Sequence, residues 1–581
     1  MLAIYRVATR AQKHLFDVLL ELDGVTAKEL ELWMPSWTPG SYLIREYARN
    51  VQEVRAETPS GQPLKVERTS EDAWRVEPAG HTVLCIRYSV YAFDLTVRTS
   101  YLDESRAFFN GASLFLTCEA LLDRPATLVL DLPPGWKVET PLAREEEGRF
   151  RAADYHELCD SPVHCGPDDR GVDFSVAGVP HRLAVAGAGN EDLPGLVTAL
   201  TSIVEQAARL FGGLPYRRYL FLTLLTDRGR GGLEHREAST LLYPRFGFRP
   251  DKSRQDFLLL AAHELFHVWN VKRLRPLALL PYRYRTENLT RLLWFFEGFT
   301  SYYEVLLCLR AGLLSPGRFL EIWGERMTQL ARTPGRRVQG LEEASLTAWV
   351  KFYRQDENSL NSSVSYYLKG SLVALSLEGA LRGRQSSVDA LLQKLWSEYG
   401  APEIGLPEDG VQKAAEELAH AKLPRVFAAV AGTDDPDYAS LGALGLRVGT
   451  RARESTNDRG GSPTRGGDRD KGGNLGLVFK ADRLIIQSVH PDGPAELAGL
   501  CPDDELVAAE GFRLLPENWV QRLEQLTPGT AVRLTYFRRE ELREAVLTLG
   551  ERALDTHWIE RVSSPSEEQR AAFLAWTGSE L

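Results

Sequence analysis

The stretch HELFHVWNVKRLRP at residues 263–276 constrains the fold more than any other part of the 581-residue chain. It places His263 and His267 four residues apart, with Glu264 directly after the first. In an α-helix, where each residue turns by about 100°, two positions four apart project from one face. The apolar run FLLLAA before His263 predicts that the opposite side of this helix packs in a core.

Two imidazoles on one helix face can bind a single metal ion, and zinc is the metal that this arrangement favours. Glu264 lies on the flank of the same face, where its carboxylate can reach a water on the metal without being a ligand. That is the position of a general base. A helix that carries two histidines and a glutamate by coincidence is the alternative. We predict one zinc per chain, with His263 and His267 as ligands and Glu264 as the base.

A catalytic zinc needs a third protein ligand and an open position for water. Glu297 lies in the apolar helical stretch LLWFFEGFTSYYE (292–304), where a lone carboxylate is costly to bury unless it is paired or metal-bound. We expect Glu297 to be the third ligand. Glu304 lies two helical turns later on the same face and could orient a ligand histidine by a hydrogen bond, although a plain surface role fits it equally well.

The distribution of apolar residues divides the chain into four segments. Residues 1–165 contain short, partly alternating apolar runs that predict a β-sandwich-like domain. Residues 166–435 alternate a few strands with many helical patterns, and residues 436–550 predict a small β module. Residues 451–473 within that module are rich in Gly, Arg and Asp and are expected to be disordered, and residues 551–581 form a C-terminal tail.

Net charge and sequence ends exclude several classes of protein. The net charge is −10 with no basic run, which argues against a nucleic-acid partner. The N-terminus lacks the apolar core of a secretory signal, and no run of apolar residues is long enough to span a membrane. The six cysteines are scattered as reduced thiols would be. We therefore expect a cytoplasmic protein.

The longer motifs resemble one peptidase family. HELFHVWNVKRLRP, RTENLTRLLWFFEGFTSYYE (285–304) and SWTPGSYLIREYARNV (36–51) are similar to the glycyl aminopeptidase family of gluzincin zinc metallopeptidases. The resemblance covers nearly the whole chain and implies a multidomain α+β fold with a thermolysin-like, mostly helical catalytic domain. Between His267 and Glu297 lie 29 residues, whereas the alanyl-type aminopeptidases have about 18.

The resemblance also implies a site for the free α-amine of a peptide. GRGGLEH (229–235) is similar to the Gly-x-Met-Glu-Asn signature, whose glycines let the substrate backbone approach and whose glutamate binds the amine. The matching residues are Gly231, Gly232 and Glu234. This chain departs from the signature at His235, which replaces the asparagine. Read without the family, the segment would be a flexible turn.

The same resemblance implies an oxyanion donor. SYYLKGSLVALSLE (365–378) is similar to the Tyr-x-Lys-Gly helix of the superfamily, in which a tyrosine hydroxyl stabilises developing negative charge. Tyr367 occupies the matching position. Tyr366 is the alternative if the alignment shifts by one residue.

A second cluster of metal-binding residue types occurs in HELCDSPVHC (156–165). It lacks the paired spacing that structural zinc sites usually have. We expect a strand with small buried thiols there and no second metal.

The C-terminal module resembles a PDZ domain through HPDGPAELAGLCPDDELVAAEG (490–511). PDZ domains bind a C-terminal peptide as an added strand. The carboxylate-binding loop would be Leu444–Leu446 or Leu475–Leu477, which both read Leu-Gly-Leu. A module without a ligand is the alternative.

These motifs predict a zinc aminopeptidase that acts on peptides with a free N-terminus. The resemblance implies a preference for N-terminal glycine or alanine. A zinc endopeptidase recruited by its PDZ domain and a non-catalytic peptide-binding scaffold remain as alternatives. The sequence does not determine the oligomeric state.

Overall fold

Short strands follow one another from the start of the chain, as the alternating apolar pattern predicts. The computed structural model describes residues 1–167, 170–249, 251–455, 457–464, 472–481, 483–524 and 526–580. Alternation is clear around Phe16, Val18 and Leu20, which are buried between more exposed neighbours because successive side chains of a strand point to opposite faces. The strands before residue 167 are β1 (Leu2–Arg10), β2 (Leu15–Asp23), β3 (Leu30–Trp33), β4 (Val51–Glu57), β5 (Pro63–Leu64), β6 (Val66–Arg68), β7 (Ala73–Val76), β8 (Val83–Tyr91), β9 (Tyr101–Leu102), β10 (Ala107–Asn110), β11 (Ala126–Asp131), β12 (Lys137–Glu139), β13 (Ala143–Arg144), β14 (Arg149–Ala152) and β15 (Pro162–Gly166).

These strands form three sheets around a shared core. The largest has the order β13-β14-β11-β1-β2-β8-β4-β5, and the smaller two have the orders β12-β15-β10-β9 and β3-β7-β6. Strands β1 and β11 pair in parallel, whereas the other pairs of the large sheet are antiparallel. One apolar cluster extends from Ala3 to Cys165 and also takes in Tyr284. The N-terminal region is therefore β-rich, as the sequence predicts.

A five-stranded sheet follows and carries the GRGGLEH segment. Its strands are β16 (Gly171–Val176), β17 (Val179–Ala186), β18 (Tyr219–Thr226), β19 (Gly231–Glu234) and β20 (Ala238–Pro244). The order is β16-β17-β18-β20-β19, with β17, β18 and β20 parallel. Strand β19 is antiparallel to β20 and forms one end of the sheet. Its outer side pairs with no other strand in the part of the chain that the structure describes.

Helices dominate the middle of the chain. The periodic segment at 193–212 forms a helix whose buried face includes Leu196, Leu200 and Ile203, at the spacing of three to four residues that one helix face requires. The helices are α1 (Tyr155–Asp160), α2 (Leu193–Phe211), α3 (Asp251–Phe266), α4 (Leu293–Arg310), α5 (Pro316–Ala331), α6 (Leu341–Leu346), α7 (Ser359–Ser362), α8 (Tyr366–Arg382), α9 (Val388–Leu395), α10 (Gly410–Ala419), α11 (Pro424–Ala431), α12 (Pro494–Leu497) and α13 (Glu567–Thr577).

The remaining strands belong to the C-terminal region. They are β21 (Leu446–Arg451), β22 (Leu477–Phe479), β23 (Ile486–Val489), β24 (Glu505–Ala509), β25 (Phe512–Arg513), β26 (Ala531–Arg538), β27 (Glu541–Thr548) and β28 (Thr556–Arg561). Strands β22 and β23 pair with each other, and a sheet of order β25-β24-β26-β27 shares one apolar cluster with them. Strand β21 pairs with β28 outside that cluster.

The chain divides into two units, which differ from the four predicted segments. One unit comprises Met1–Thr290, Tyr303–Leu313 and Leu392–Glu408, and the other comprises Arg291–Tyr302, Leu314–Leu391 and Asp409–Leu581. The first unit thus joins the N-terminal sheets to the five-stranded sheet and α3. Helix α4 is continuous and contributes residues to both units.

Two details differ from the sequence predictions. The helix with the HELFH motif ends at Phe266, where tighter turns begin: Val268 donates its backbone N–H to the Leu265 carbonyl and Trp269 donates to the Phe266 carbonyl. Part of the segment 451–473 is also ordered. Asp458 is buried and forms an ion pair with Arg451. Residues 456 and 465–471 of that segment lie outside the described residues.

None of the described helices combines the length and the apolar character that crossing a bilayer requires. All six cysteines are unpaired.

Candidate metal and peptide site

The histidines of HELFH remain one turn apart although α3 ends between them. His267 donates its backbone N–H to the His263 carbonyl over 3.4 Å, and the two ring centroids are 4.8 Å apart. The preceding residues Phe257 to Ala262 are buried, as the apolar run predicts. The helix therefore presents both imidazoles at its C-terminal end.

Each imidazole has its Nδ1 engaged in a hydrogen bond. His263 Nδ1 lies 2.7 Å from Glu304 Oε2, and His267 Nδ1 lies 2.8 Å from the Asn270 carbonyl. Such bonds orient a ring and select the nitrogen that faces a metal, which here would be Nε2. Glu304 thus contacts the ring of His263 through its carboxylate.

The backbone after α3 is strained where it holds His267. Val271 has φ of 119°, which is a genuine outlier for a β-branched residue. Hydrogen bonds on both sides maintain it, from Val271 to Leu274 at 2.9 Å and from Lys272 to His267 at 3.0 Å. The strain is therefore coupled to the position of the Asn270 carbonyl that orients His267.

The ligand atoms of His263, His267 and Glu297 all lie within 4.8 Å of one another. Two imidazoles and one carboxylate are the donor set of a three-ligand zinc site. Glu297 is almost wholly buried in the helix α4. The residues present therefore fit a zinc ion by chemistry and by spacing.

A glycine contact brings Tyr367 towards Glu297. Helices α4 and α8 approach so closely that a Cβ on Gly298 would lie 2.6 Å from the Gly370 backbone. Gly298 follows Glu297 directly, and Gly370 is three residues after Tyr367, which is about one helical turn. Burial, followed by the charge of Glu297, raises the pKa of Tyr367 well above its usual range, so the hydroxyl keeps its proton.

The structure distinguishes the two tyrosines. Tyr366 is fully buried, whereas Tyr367 is partly exposed and its hydroxyl lies 3.1 Å from that of Tyr353. Phe352 stacks on Tyr367 with ring centroids 5.5 Å apart. A donor that must reach a substrate needs this partial exposure, which favours Tyr367.

A second group of possible ligands, two carboxylates and one imidazole, lies near the edge strand β19. The ligand atoms of Glu234, Glu264 and His267 also lie within 4.8 Å of one another. Glu234 is buried, and its Oε1 has no hydrogen-bond partner among the described residues. A buried carboxylate oxygen without a donor is costly, so this atom is suited to a cationic ligand.

Two glycines allow these carboxylates to sit where they do. A Cβ on Gly232 would lie 1.8 Å from Glu264 Oε1, and a Cβ on Gly40 would lie 2.6 Å from Glu234 Oε1. Gly40 also has φ of 99°, which favours glycine. Gly40 belongs to SWTPGSYLIREYARNV, so that N-terminal motif shapes the site directly.

A buried ion pair lies behind Glu234. Lys272 Nζ is 2.7 Å from Asp160 Oδ1 and 3.4 Å from the Pro39 carbonyl. Burial alone would raise the pKa of the Asp160 carboxyl, but Lys272 and His235 outweigh it and hold that pKa well below its usual range. The ammonium of Lys272 thus forms its ion pair with Asp160.

His235 is surrounded by other residues of the protein and contacts Thr240 and Asp160. Its ring is buried, with Nε2 3.2 Å from Thr240 Oγ1 and Nδ1 3.7 Å from Asp160. The residue that departs from the family signature therefore contacts the ion pair behind the site.

The cluster at 156–165 belongs to neither metal-binding group of the described residues. His156 lies against the Tyr284 hydroxyl at 2.7 Å, and Cys159 and Cys165 are buried in the N-terminal core.

Sequence reasoning missed four residues near the site: Gly40, Tyr353, Lys272 and Asp160. Gly40 and Lys272 lie inside motifs that the sequence singled out. Asp160 lies inside HELCDSPVHC, which the sequence singles out only as a candidate metal cluster, and Tyr353 carries no signal of its own. Both reach the site through tertiary contacts.

Comparison with known proteins places this site in a family. Residues 5–167 match the Peptidase M61 N-terminal domain, and residues 256–373 match the M61 glycyl aminopeptidase domain. An aminopeptidase N family protein from Idiomarina loihiensis has 33% sequence identity, covers 99% of this chain and 100% of its own, and superposes with a TM-score of 0.92. Comparison with curated proteins gives no significant match.

An M1 zinc metallopeptidase from Deinococcus radiodurans is more distant. It has 15% identity and a TM-score of 0.46 over 75% of this chain and 94% of its own. The fold and the matched domains define a metallo-aminopeptidase, a hydrolase of peptide bonds. The chain belongs to the M61 family of glycyl aminopeptidases.

Proposed function

We propose that the protein is a zinc aminopeptidase that removes the first residue of peptides with a free N-terminus. His263, His267 and Glu297 would hold one zinc ion per chain. When bound, zinc supplies a Lewis acid that polarises a carbonyl and lowers the pKa of water. The observation that carries the proposal is the buried Glu234 Oε1, which lacks a partner among the described residues beside the metal-binding group.

Glu264 acts as the general base in this proposal. Its carboxylate contacts the backbone of Gly232, and its ligand oxygen lies within 4.8 Å of the ligand nitrogen of His267. From there it accepts the proton of the attacking water and later delivers it to the leaving amine. Burial keeps bulk water from competing with that transfer.

Tyr367 and Glu234 act on the substrate. Tyr367, held protonated, donates a hydrogen bond to the carbonyl oxygen as negative charge develops there. Glu234 pairs with the α-ammonium, so the first peptide bond stops beside Glu264. A peptide with a blocked amine would leave the Glu234 carboxylate buried without a partner. Membership of an aminopeptidase family also favours this function over an endopeptidase or a scaffold.

The deciding experiment compares glycyl-anilide with acetyl-glycyl-anilide. Loss of the ammonium pair should reduce kcat/KM of Glu234→Gln for glycyl-anilide by about one to two decades, which corresponds to about 1.5–3 kcal/mol. The parent should cleave the acetylated substrate poorly. Glu237→Gln is a matched control, because Glu237 lies three residues further on and belongs to neither metal-binding group of the described residues. Equal cleavage of both anilides by the parent would contradict the proposal.

The proposal also covers the N-terminal residue that the enzyme prefers in its substrates and the location of the protein in the cell. A preference for N-terminal glycine or alanine agrees with the glycyl aminopeptidase description of the family. The preference is measured with a panel of aminoacyl-anilides. We also retain the cytoplasm as the proposed location.

We further propose that residues 474–550 are a PDZ-like module that binds a C-terminal peptide. Of the two Leu-Gly-Leu segments, Leu475–Leu477 is supported, because it leads into β22 and Leu475 belongs to the apolar cluster of the module. Leu444–Leu446 instead leads into β21, outside that cluster. Binding of peptides with free and amidated C-termini tests this role.

A further inference from the structure

Arg98 lies beside the edge strand β19, and its guanidinium has no carboxylate partner among the described residues. It lies in the loop between β8 and β9, and its Nη2 donates to the Gly232 carbonyl over 3.1 Å. Among the described residues, Arg98 forms no ion pair, and its buried Nε has no acceptor. A guanidinium carries five N–H donors that match a carboxylate, so one hydrogen bond uses little of its capacity.

The loop that carries Arg98 is firmly hydrogen-bonded. Tyr47 donates its hydroxyl to the Arg98 carbonyl over 2.7 Å, and the buried Asn110 side chain donates to the Val97 carbonyl over 2.8 Å. Arg98 also donates its backbone N–H to Thr96 Oγ1 over 3.1 Å. The backbone that carries the Arg98 side chain is therefore held in position before any ligand arrives.

The order of residues along β19 indicates which part of a bound peptide would lie near Arg98. Glu234, the proposed amine anchor, is at one end of the strand, and Gly232, two positions earlier, contacts Glu264. A peptide whose amine is at Glu234 and whose first bond is at Glu264 must continue towards Gly231. Arg98 Nη1 lies 3.9 Å from the position of a Cβ on Gly231, which is at the end of β19 opposite to Glu234.

The distances suit a short peptide. Residues of a strand advance about 3.3 Å each, so Gly232 and Gly231 lie about 7 and 10 Å along the strand from Glu234. An extended dipeptide or tripeptide spans about the same distance between its amine and its carboxylate. Arg98 is thus within reach of the C-terminal carboxylate of such a peptide.

We propose that Arg98 binds the free C-terminal carboxylate of dipeptide and tripeptide substrates and so makes short peptides the preferred substrates. This inference rests on the proposed aminopeptidase function. Glu234 would recognise one end of the peptide and Arg98 the other. Longer peptides and C-terminal amides would lack the charge-assisted pair with Arg98.

The experiment compares kcat/KM for Gly-Ala-Ala and Gly-Ala-Ala-amide, and for Gly-Ala and Gly-Ala-amide. The parent should prefer the free acid of at least one pair by about tenfold or more. Arg98→Ala should bring the ratio of acid to amide close to one, and Arg98→Lys should retain part of it, because a lysine keeps the charge but loses the fork. Arg228→Ala is the matched control, since Arg228 is 92% exposed and pairs with Asp227.

Two results would overturn the inference. One is a parent ratio near one. The other is an Arg98→Ala variant that loses activity on acid and amide equally, which would make Arg98 a brace for β19. Failure of the parent to release glycine from either tripeptide would instead refute the aminopeptidase function. In that case, binding of the acid and the amide to the metal-loaded Glu264→Gln variant, measured by calorimetry, still decides the role of Arg98.

Discussion

Gly298 of α4 and Gly370 of α8 touch backbone to backbone. A Cβ on Gly370 would lie 2.4 Å from the Trp294 carbonyl oxygen, and a Cβ on Gly298 would lie 2.6 Å from Gly370 itself. The contact sets how close Tyr367 comes to Glu297, because each of these residues is within one helical turn of the crossing. Geometry at the site therefore depends on two residues without side chains.

We predict that Gly370→Ala lowers kcat/KM by at least about tenfold and also lowers the melting temperature, because the added methyl group pushes α4 and α8 apart. Gly317→Ala is a suitable control. Gly317 lies in helix α5, and a Cβ there meets nothing within 4 Å. Full activity in Gly370→Ala would show that the crossing does not position Tyr367.

Metal analysis should distinguish the proposed zinc ligand Glu297 from the proposed base Glu264. Glu297→Gln should lose zinc at concentrations where the parent retains it, whereas Glu264→Gln should retain zinc and lose hydrolysis. Glu304→Gln should weaken zinc binding by roughly 10–100-fold, because it removes the orienting bond to His263. Zinc titration with a competing chelator measures all three. Loss of metal in Glu264→Gln would contradict its role as a base.

Gly232→Ala should abolish hydrolysis with the zinc content unchanged, because the new methyl group would occupy the position of Glu264 Oε1. Gly231→Ala should cause a smaller loss, since the nearest atoms to its Cβ are 3.9 Å away. Comparison of kcat/KM and bound zinc in the two variants tests this prediction. Equal losses would mean that the contact with Glu264 is not decisive.

Lys272→Met should destabilise the protein by about 3–5 kcal/mol, because it leaves Asp160 buried without its ion-pair partner. Adding Asp160→Asn to this variant should recover part of the loss. Urea denaturation of the parent, single and double variants measures the coupling. Additive effects of the two substitutions would indicate that the pair contributes nothing to stability.

Lys369→Met should stabilise the protein by about 1–3 kcal/mol at pH 7. Burial lowers the pKa of Lys369 to about 8, and the same side chain in the unfolded chain has a pKa of about 10.4. Below pH 8 both states are protonated, so the folded protein bears the full cost of a buried charge. Between pH 8 and about 10.4 the folded state releases its proton first, and this cost falls as pH rises.

The advantage of Lys369→Met should therefore be largest below pH 8 and shrink towards pH 10. Thermal denaturation at several pH values, with Lys351→Met as a control at an exposed position, provides the measurement. An advantage that does not vary with pH would show that Lys369 keeps its ordinary pKa when folded.

The spacing of His263, Glu264 and His267 predicted one helix face, and the structure places both imidazoles together at the end of α3. Local periodicity determines such relationships, since residues four apart on a helix are neighbours in any fold. The same reasoning predicted helices around Glu297 and Tyr367 and the strands of the N-terminal region. It also determined that a carboxylate in the apolar stretch at 292–304 would need a partner.

Tertiary structure alone decided which distant residues meet. Gly40 reaches Glu234 across 194 positions of the chain, and Arg98 reaches Gly232 across 134. No periodicity links such residues, because their contacts depend on how sheets and loops pack. The described part of segment 451–473 shows the same limit. Its composition predicts disorder, but Asp458 becomes buried because Arg451, at the end of β21, supplies the opposite charge.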